Sequence, residues 1–276
     1  MGKQVDLSTR LLATQQSNNK MLLTLLGTGT SQGVPIVGCT CEVCLSKDPR
    51  DNRLRTSAFL EIGEINILID AGPDLRQQLL RSGITKIDAL LVTHEHKDHI
   101  GGIDDIRPIN FLMHETMEIY GLHRVMNVIA KDYDYAFKTF KYPGVPDLHL
   151  NPVKNDPFFV KDIEITPIHV KHLHLPILGY RIANFGYITD ASFIAGKEVE
   201  KLMDLDVLVI NALRIKEHYS HFNLEQALQV IQKLKPRLSI LTHAGHTIGL
   251  YSEVEKILPE GVVLGWDGMK LGVRNI

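Results

Sequence analysis

The densest run of reactive side chains in the chain is His94-Glu95-His96-Lys97-Asp98-His99, followed by Ile100-Gly101-Gly102. Imidazole nitrogens with a carboxylate oxygen are the donors that Zn²⁺, Fe or Mn²⁺ accept, whereas an all-oxygen set would point to Mg²⁺ or Ca²⁺. Four donors within six residues exceed what one tetrahedral ion takes from so tight a loop. Two adjacent ions resolve the excess, His94 and His96 on one, Asp98 and His99 on the other, with further ligands arriving from distant parts of the chain.

Later stretches offer those ligands. One of His169, His172 and His174 should complete the first set. Residues 185–192 read as an apolar strand ending in Asp190, a carboxylate that can bridge two cations. Residues 238–242 read as a strand delivering His243 and, three positions on, His246. Upstream, Cys39, Cys41 and Cys44 place three thiolates on a short loop, one ligand short of a closed tetrahedral zinc site. Asp70 ends a buried strand, where it either orients a ligand histidine or closes the turn into the next helix. Arg55 is the one member of a charged run read as drawing anions toward the site. His114, His123 and His149 have no partner spacing and receive no role.

The elements that must position these groups follow from hydrophobic patterning. Strands are expected at 21–26, 56–62, 65–70, 87–92, 117–121, 158–160, 163–168, 175–182, 207–210 and 262–268, in addition to those already named. Helices are expected at 74–81, 103–112 with a proline interruption, 122–137, 195–203, 223–235 and 252–258, with Gly101-Gly102 opening a helix behind the metal loop. The glycine turn Gly27-Thr28-Gly29 lacks the lysine and following helix of a phosphate-binding loop. This order suits an α/β fold with two packed mixed sheets and helices outside. Residues 1–20, polar and without apolar period, read as a flexible extension, and 21–276 as the folded domain.

The composition limits the function classes. A chain of 276 residues, 44% hydrophobic and 22% charged, buries a substantial core. No apolar run approaches the ~20 residues of a membrane span, and the first residues lack a signal peptide's apolar core, so the expected location is cytoplasmic. Three closely spaced cysteines make a poor disulfide framework. A net charge of −2 gives no basic field for a long nucleic acid, and small anionic substrates stay open.

The pattern His94-x-His96-x-Asp98-His99 resembles the signature of the metallo-β-lactamase superfamily, whose members are mostly hydrolases with one or two metals. Gly27-Thr28-Gly29 with the cysteine loop, Tyr187-Ile188-Thr189-Asp190, and Thr242-His243 followed by His246 resemble its phosphoribosyl cyclic phosphodiesterase subgroup. The resemblance implies an αββα four-layer sandwich. It also implies that His94, His96 and His172 hold one metal, Asp98, His99 and His243 the other, with Asp190 bridging and Zn or Mn as the active-site ions. Cys39, Cys41, Cys44 and His246 would hold a structural zinc. Asp98 and His221 would be catalytic, Asp98 orienting the attacking hydroxide while ligating and His221 protonating the leaving oxygen. Two cations roughly 3.5 to 4 Å apart lower the pKa of a bridging water and stabilise both oxygens of an in-line displacement. The expectation is therefore a phosphodiesterase acting on a small cyclic or linear nucleotide-like diester. The alternatives are a tRNA 3′-processing endonuclease, a thioester or lactone hydrolase, and a metal-containing binding module without turnover. A small phosphodiester is the expected partner, with no long nucleic acid and no membrane, and a homodimer is left open.

Overall fold

The computed structural model describes residues 21–140 and 142–274. The extension expected at 1–20 lies outside the described residues.

Among them, fifteen strands form two sheets. In chain order these are β1 Met21–Gly27, β2 Ser57–Ile62, β3 Ile65–Ile69, β4 Ala89–Leu91, β5 Met117–Leu122, β6 Leu148–Val153, β7 Phe158–Val160, β8 Ile163–His172, β9 Leu175–Ile182, β10 Phe185–Ile188, β11 Phe193–Ile194, β12 Val207–Asn211, β13 Leu238–Thr242, β14 Val262–Leu264 and β15 Lys270–Val273. The helices are α1 Leu75–Ser82, α2 Lys97–Ile100, α3 Arg107–Met113, α4 His123–Asp132, α5 Gly196–Glu200, α6 Leu224–Leu234 and α7 Tyr251–Ile257.

Both sheets are built on one plan. The first runs β15-β1-β2-β3-β4-β5-β6, antiparallel as far as β3 and parallel from β3 to β6. The second runs β11-β8-β9-β10-β12-β13-β14, antiparallel as far as β10 and parallel beyond it, with β7 paired to β8. Parallel neighbours cannot be joined by a hairpin, so helical crossovers return the chain between them. The central parallel strands are covered on both faces and are mostly apolar, β12 and β13 being buried at every position, whereas β5 alternates and the edge strand β6 is buried only at its two ends.

Three apolar layers hold the sandwich. Leu23, Leu60, Ile67, Leu178, Tyr180, Tyr187, Val209 and Ile240 fill the space between the sheets. Leu68, Leu90 and Ile119 pack outward onto Leu75, Ile103, Val125 and Ile129. Leu208 and Ile210 do the same onto Ala227, Ile231 and Val254. The fold is the expected α/β four-layer sandwich.

Several boundaries differ from the sequence reading, each for a local reason. Gly101 ends a helical turn instead of opening one: α2 already holds Asp98 and His99, and the Gly101 N–H donates to the Lys97 carbonyl at 2.8 Å. Pro108 falls in the first turn of α3, where a missing N–H costs nothing, and so starts a helix rather than interrupting one. The expected helix at 122–137 stops at Asp132 and continues as a 3₁₀ turn at Asp134–Ala136. β6 and β15 were not read from the sequence; both are edge strands, and a run such as Lys270-Leu271-Gly272-Val273 is too short to show its alternation. No helix of the described residues is long and apolar enough to cross a membrane.

Candidate metal centre

The C-terminal ends of the parallel strands in both sheets meet at one edge of the sandwich, and there the chain presents its ionisable side chains. Asp70 follows β3, His94 and His96 follow β4, Asp190 follows β10 and His243 follows β13. Asp70, Asp190 and His243 all adopt left-handed backbone conformations, with φ of 61°, 58° and 54°. Such conformations cost roughly 1–3 kcal/mol each at a non-glycine residue. Recurring at three converging strand ends, they turn the side chains back over the strand termini.

Asp70 organises the metal loop. Its Oδ2 lies 2.7 Å from His99 Nδ1, its Oδ1 accepts from the Thr93 N–H at 2.8 Å, and the Thr93 hydroxyl, 2.9 Å from Oδ2, stands 3.0 Å from His94 Nδ1. With the Thr93 hydroxyl donating to Asp70, His94 Nδ1–H donates to Thr93. One carboxylate thus fixes both imidazoles with Nδ1 protonated and the Nε2 lone pair turned toward the cluster. The loop backbone is pressed against the turn after β3: the Ala71 N–H donates to the His99 carbonyl at 2.7 Å and the Gly102 N–H to the Ala71 carbonyl at 2.8 Å. A Cβ at Gly72 would fall 2.1 Å from the Asp98 carbonyl oxygen, and one at Gly102 2.0 Å from that of Gly72, so only glycine permits this approach.

Two groupings share Asp190. His99 Nε2 lies 3.1 Å from Asp98 Oδ2 and 3.3 Å from Asp190 Oδ2, and His243 Nε2 lies 3.1 Å from Asp190 Oδ1. His172 and His221 converge on the same carboxylate, His221 Nε2 at 3.1 Å from Oδ1. His94 Nε2 is 3.1 Å from His96 Nδ1, and the His172 ring stands 5.8 Å and 5.2 Å from those two rings. Of the three candidates on β8 and its turn, His172 is the one that joins the cluster, with Nδ1 2.8 Å from the Ser220 carbonyl and 3.0 Å from that of Asp190. His169 uses its backbone N–H on Glu198 and makes no ring contact with the site histidines, and His174 is exposed. Arg55 is held by Asp74 at 2.9 Å and by the Ser31 carbonyl, so its charge is already engaged away from the cluster.

The donor set fits divalent cations. Two nearly buried carboxylates face His99 Nε2, whose ring already spends its Nδ1 proton on Asp70, and Nε2 makes no hydrogen bond. A bare lone pair confronting two carboxylates is repulsive unless positive charge lies among them. Burial would push His99 down, but Asp190, Asp70 and Asp98 together outweigh it and hold the imidazole well above its ordinary pKa, which is the same demand for positive charge. Burial pushes His94, His172 and His243 down, His243 to about 4. These rings stay neutral near pH 7, as metal ligation requires. Asp190 is raised by burial but lowered further by His243 and His99, and sits well below the usual carboxylate range. Exposure is graded: the side chains of His99 and His243 are 0% and 1% accessible, those of Asp98 and His221 11% and 12%. His96 is exposed, so the cluster opens to solvent on the side of His96, Asp98 and His221.

The thiols form a separate cluster. The sulfurs of Cys39, Cys41 and Cys44 lie 3.3, 3.3 and 3.5 Å from His246 Nδ1. Zn–S of 2.3 Å and Zn–N of 2.0–2.1 Å at the tetrahedral angle give an S···N edge of about 3.5 Å, so the four atoms are spaced as a closed zinc site spaces them. His246 is brought there by the turn that also carries His243; the Ala244 N–H donates to the Thr28 carbonyl at 2.9 Å and the Gly245 N–H to that of Leu213 at 2.9 Å.

Known proteins share both fold and sequence with this chain. A protein of Porphyromonas gingivalis named octanoyltransferase is 44% identical over 250 residues, 89% of this chain but 50% of its own length. The chain spans about half the length of the curated relatives it matches. A solved structure described as a new diphosphatase from the PhnP family superposes with a TM-score of 0.86 at 36% identity, covering 92% of this chain and 97% of its own. Zn²⁺-bound PqqB from Methylobacterium extorquens shares the fold, with a TM-score of 0.74 at 16% identity over 91% of this chain and 99% of its own. The sequence profile of the β-lactamase superfamily domain matches residues 65–244. With that match, the two-sheet sandwich and the histidine and aspartate cluster at its edge, the chain belongs to the metallo-β-lactamase superfamily, the expected family, and its PhnP-like neighbour supports the phosphodiesterase subgroup.

Proposed function

We propose that this protein is a dinuclear metal-dependent phosphodiesterase acting on a small cyclic or linear nucleotide-like diester. In this reading His94, His96 and His172 hold one cation, Asp98, His99 and His243 a second, and Asp190 stands between them; zinc or manganese suits the mixed nitrogen and oxygen donors. Cys39, Cys41, Cys44 and His246 hold a structural zinc. The observation that carries the reading is His99 Nε2, buried without a hydrogen bond and turned toward the carboxylates of Asp98 and Asp190.

When bound, such a metal pair lowers the pKa of water and draws charge from a phosphoryl group. The chain's own residues do the rest. Asp70 keeps His99 and His94 in the tautomer that presents Nε2. Asp98, at the more accessible edge, orients the attacking oxygen. His221 Nε2, 3.1 Å from Asp190 Oδ1 and on the accessible side, is placed to give a proton to the leaving oxygen.

The octanoyltransferase relative is matched over only 50% of its length, and its name does not carry acyl transfer to this chain. The cluster described here is imidazole and carboxylate, with the thiols engaged on His246, and among the described residues no thiol or amine nucleophile enters it. The similarity to a diphosphatase favours phosphorus chemistry instead. Release of p-nitrophenol from bis-p-nitrophenyl phosphate with Mn²⁺ or Zn²⁺, followed by a screen of cyclic and linear nucleotide diesters and nucleoside diphosphate conjugates, tests the reading. Metal-dependent turnover of a diester is expected. Hydrolysis of thioesters or lactones alone, or metal-loaded protein with no turnover, would replace it.

A further inference from the structure

Ser220 lies between His218 and His221 in the segment that leads into α6, and its side chain is almost wholly enclosed, the residue being 6% exposed. Three of its polar groups touch three different imidazoles. Its carbonyl is 2.8 Å from His172 Nδ1, its N–H is 3.3 Å from His218 Nδ1, and its Oγ is 3.0 Å from His221 Nδ1 and 3.1 Å from His218 Nδ1. A neutral imidazole has one N–H and one lone pair, and the partner of one nitrogen decides where the proton sits.

The donor count settles the arrangement. A carbonyl only accepts, so His172 carries its proton on Nδ1 and turns a free Nε2 toward the cluster. The backbone N–H only donates, so His218 Nδ1 is an acceptor. The hydroxyl reaches both His218 Nδ1 and His221 Nδ1, but Asp190 Oδ1, 3.1 Å from His221 Nε2, calls for the His221 proton on Nε2, and His221 Nδ1 is then the atom that accepts from the hydroxyl. The opposite tautomer would set a bare Nε2 lone pair against that carboxylate. His221 Nδ1 also stands only 3.3 Å from His218 Nδ1, and the Ser220 hydroxyl proton, on an oxygen 3.0 and 3.1 Å from the two nitrogens, is the hydrogen that separates their lone pairs.

Resting on the reading of His221 as proton donor, we infer that the Ser220 hydroxyl is a positioning group: it holds His221 as the Nε2–H tautomer, while the carbonyl of the same residue holds His172 in the opposite one. The segment is anchored for this task. The Phe222 N–H donates to the Ala191 carbonyl at 2.7 Å, tying it to the residue after Asp190, and Asn223 forms a capping box with Gln226 that fixes the start of α6.

Ser220→Ala removes the hydroxyl and keeps the N–H and C=O, so metal content should not change. In zinc-loaded protein labelled with ¹⁵N-histidine, the His221 nitrogen signals, assigned with His221→Ala, should leave the Nε2–H positions in Ser220→Ala and return to them in Ser220→Thr. Turnover of methyl phenyl phosphate, which has the poorer leaving group, should fall about tenfold to hundredfold, the usual cost of losing a residue that orients a functional histidine. Its KM should change little, and methyl p-nitrophenyl phosphate should suffer much less. Unchanged His221 signals in Ser220→Ala would overturn the inference. The nitrogen signals are read without turnover, so failure of the proton-donor reading itself shows separately, as equal losses on both substrates in His221→Ala.

Discussion

The two donor clusters of this chain are built in opposite ways. The cysteine cluster takes three of its four donors from six consecutive residues and the fourth from His246, and its sulfurs sit at nearly equal distances from one nitrogen. The histidine and aspartate cluster takes its members from the ends of β4, β8, β10 and β13, from α2 and from the segment before α6. Four of the imidazoles there are oriented by different partners: His99 by Asp70, His94 by Thr93, His172 by the Ser220 carbonyl and His221 by the Ser220 hydroxyl. A site that only braces a loop needs donors alone, and a short loop supplies them. A site that turns over a substrate needs each nitrogen in a chosen protonation state, which requires scaffolding from both sheets. The turn from His243 to His246 serves both clusters and couples them.

Removing the group shared between the two proposed active-site cations should separate the clusters most sharply. Asp190→Ala leaves His99, His221 and His243 without their common carboxylate. Elemental analysis of the wild type should find about three metal ions per chain and of the variant about one, retained by the thiols. Diester hydrolysis should fall by more than the ~10²-fold that loss of a supporting group costs. Full activity in the variant would remove Asp190 from the site.

The next effect is confined to chemistry. His221→Ala should keep the wild-type metal content and slow diesters with poor alkoxide leaving groups by ~10² to 10⁴-fold. p-Nitrophenyl diesters, whose leaving group needs little protonation, should be slowed far less. Equal losses on both would point to a binding role, and no loss on either would end the assignment.

Asp70→Asn tests the scaffolding directly. The amide can no longer accept from both His99 and Thr93 while carrying charge, and metal affinity should weaken about tenfold to hundredfold, read by competition with a chelator. The thiol cluster should keep its zinc, because nothing in it touches Asp70. Loss of metal from both clusters together would mean that the substitution disturbs the fold rather than the site.

How much of this was legible beforehand follows the same division. The metal loop and the thiols announce themselves because their donor types are rare at such spacing, whereas Asp190 and His243 show only as donors at strand ends, with their roles implied by the family resemblance. The central strands are visible because double-sided burial makes them apolar throughout. In the sequence Asp70 fits two roles, since a strand-end acid before Ala71-Gly72-Pro73 serves a turn equally well; only the third dimension brings His99 to 2.7 Å. Among His169, His172 and His174 the spacing does not choose, because the extension of β8 to His172 depends on its eight-residue pairing with β9. Ser220 gave no signal at all: its role resides in backbone atoms and a hydroxyl, which every serine has. Gly72 and Gly102 likewise look like ordinary turn glycines until the two backbones are seen in contact.

The smallest expected effect on turnover comes from the other cluster. Cys41 is lowered to about 6, chiefly by the backbone N–H of Cys44, with the neighbouring thiols and His246 adding to it, whereas burial pushes Cys44 up to about 11. Near pH 7 the metal-free loop therefore offers a thiolate at Cys41 and a protonated thiol at Cys44. Zinc must displace the Cys44 proton, so zinc affinity should rise as pH increases through the neutral range and fall on acidification, first as the Cys44 proton becomes harder to remove and then as Cys41 itself protonates below about 6. Cys41→Ser should cost the loop its zinc and lower the melting temperature by a few degrees, since ~1 kcal/mol shifts a domain of this size by about 2–4 °C. Activity should fall only modestly, through the turn that carries His243. A chelator titration across pH with elemental analysis, alongside a thermal melt, reads all three. Wild-type zinc content and melting temperature in Cys41→Ser would show the three sulfurs to be free thiols and would leave the histidine and aspartate cluster as the one metal site among the described residues.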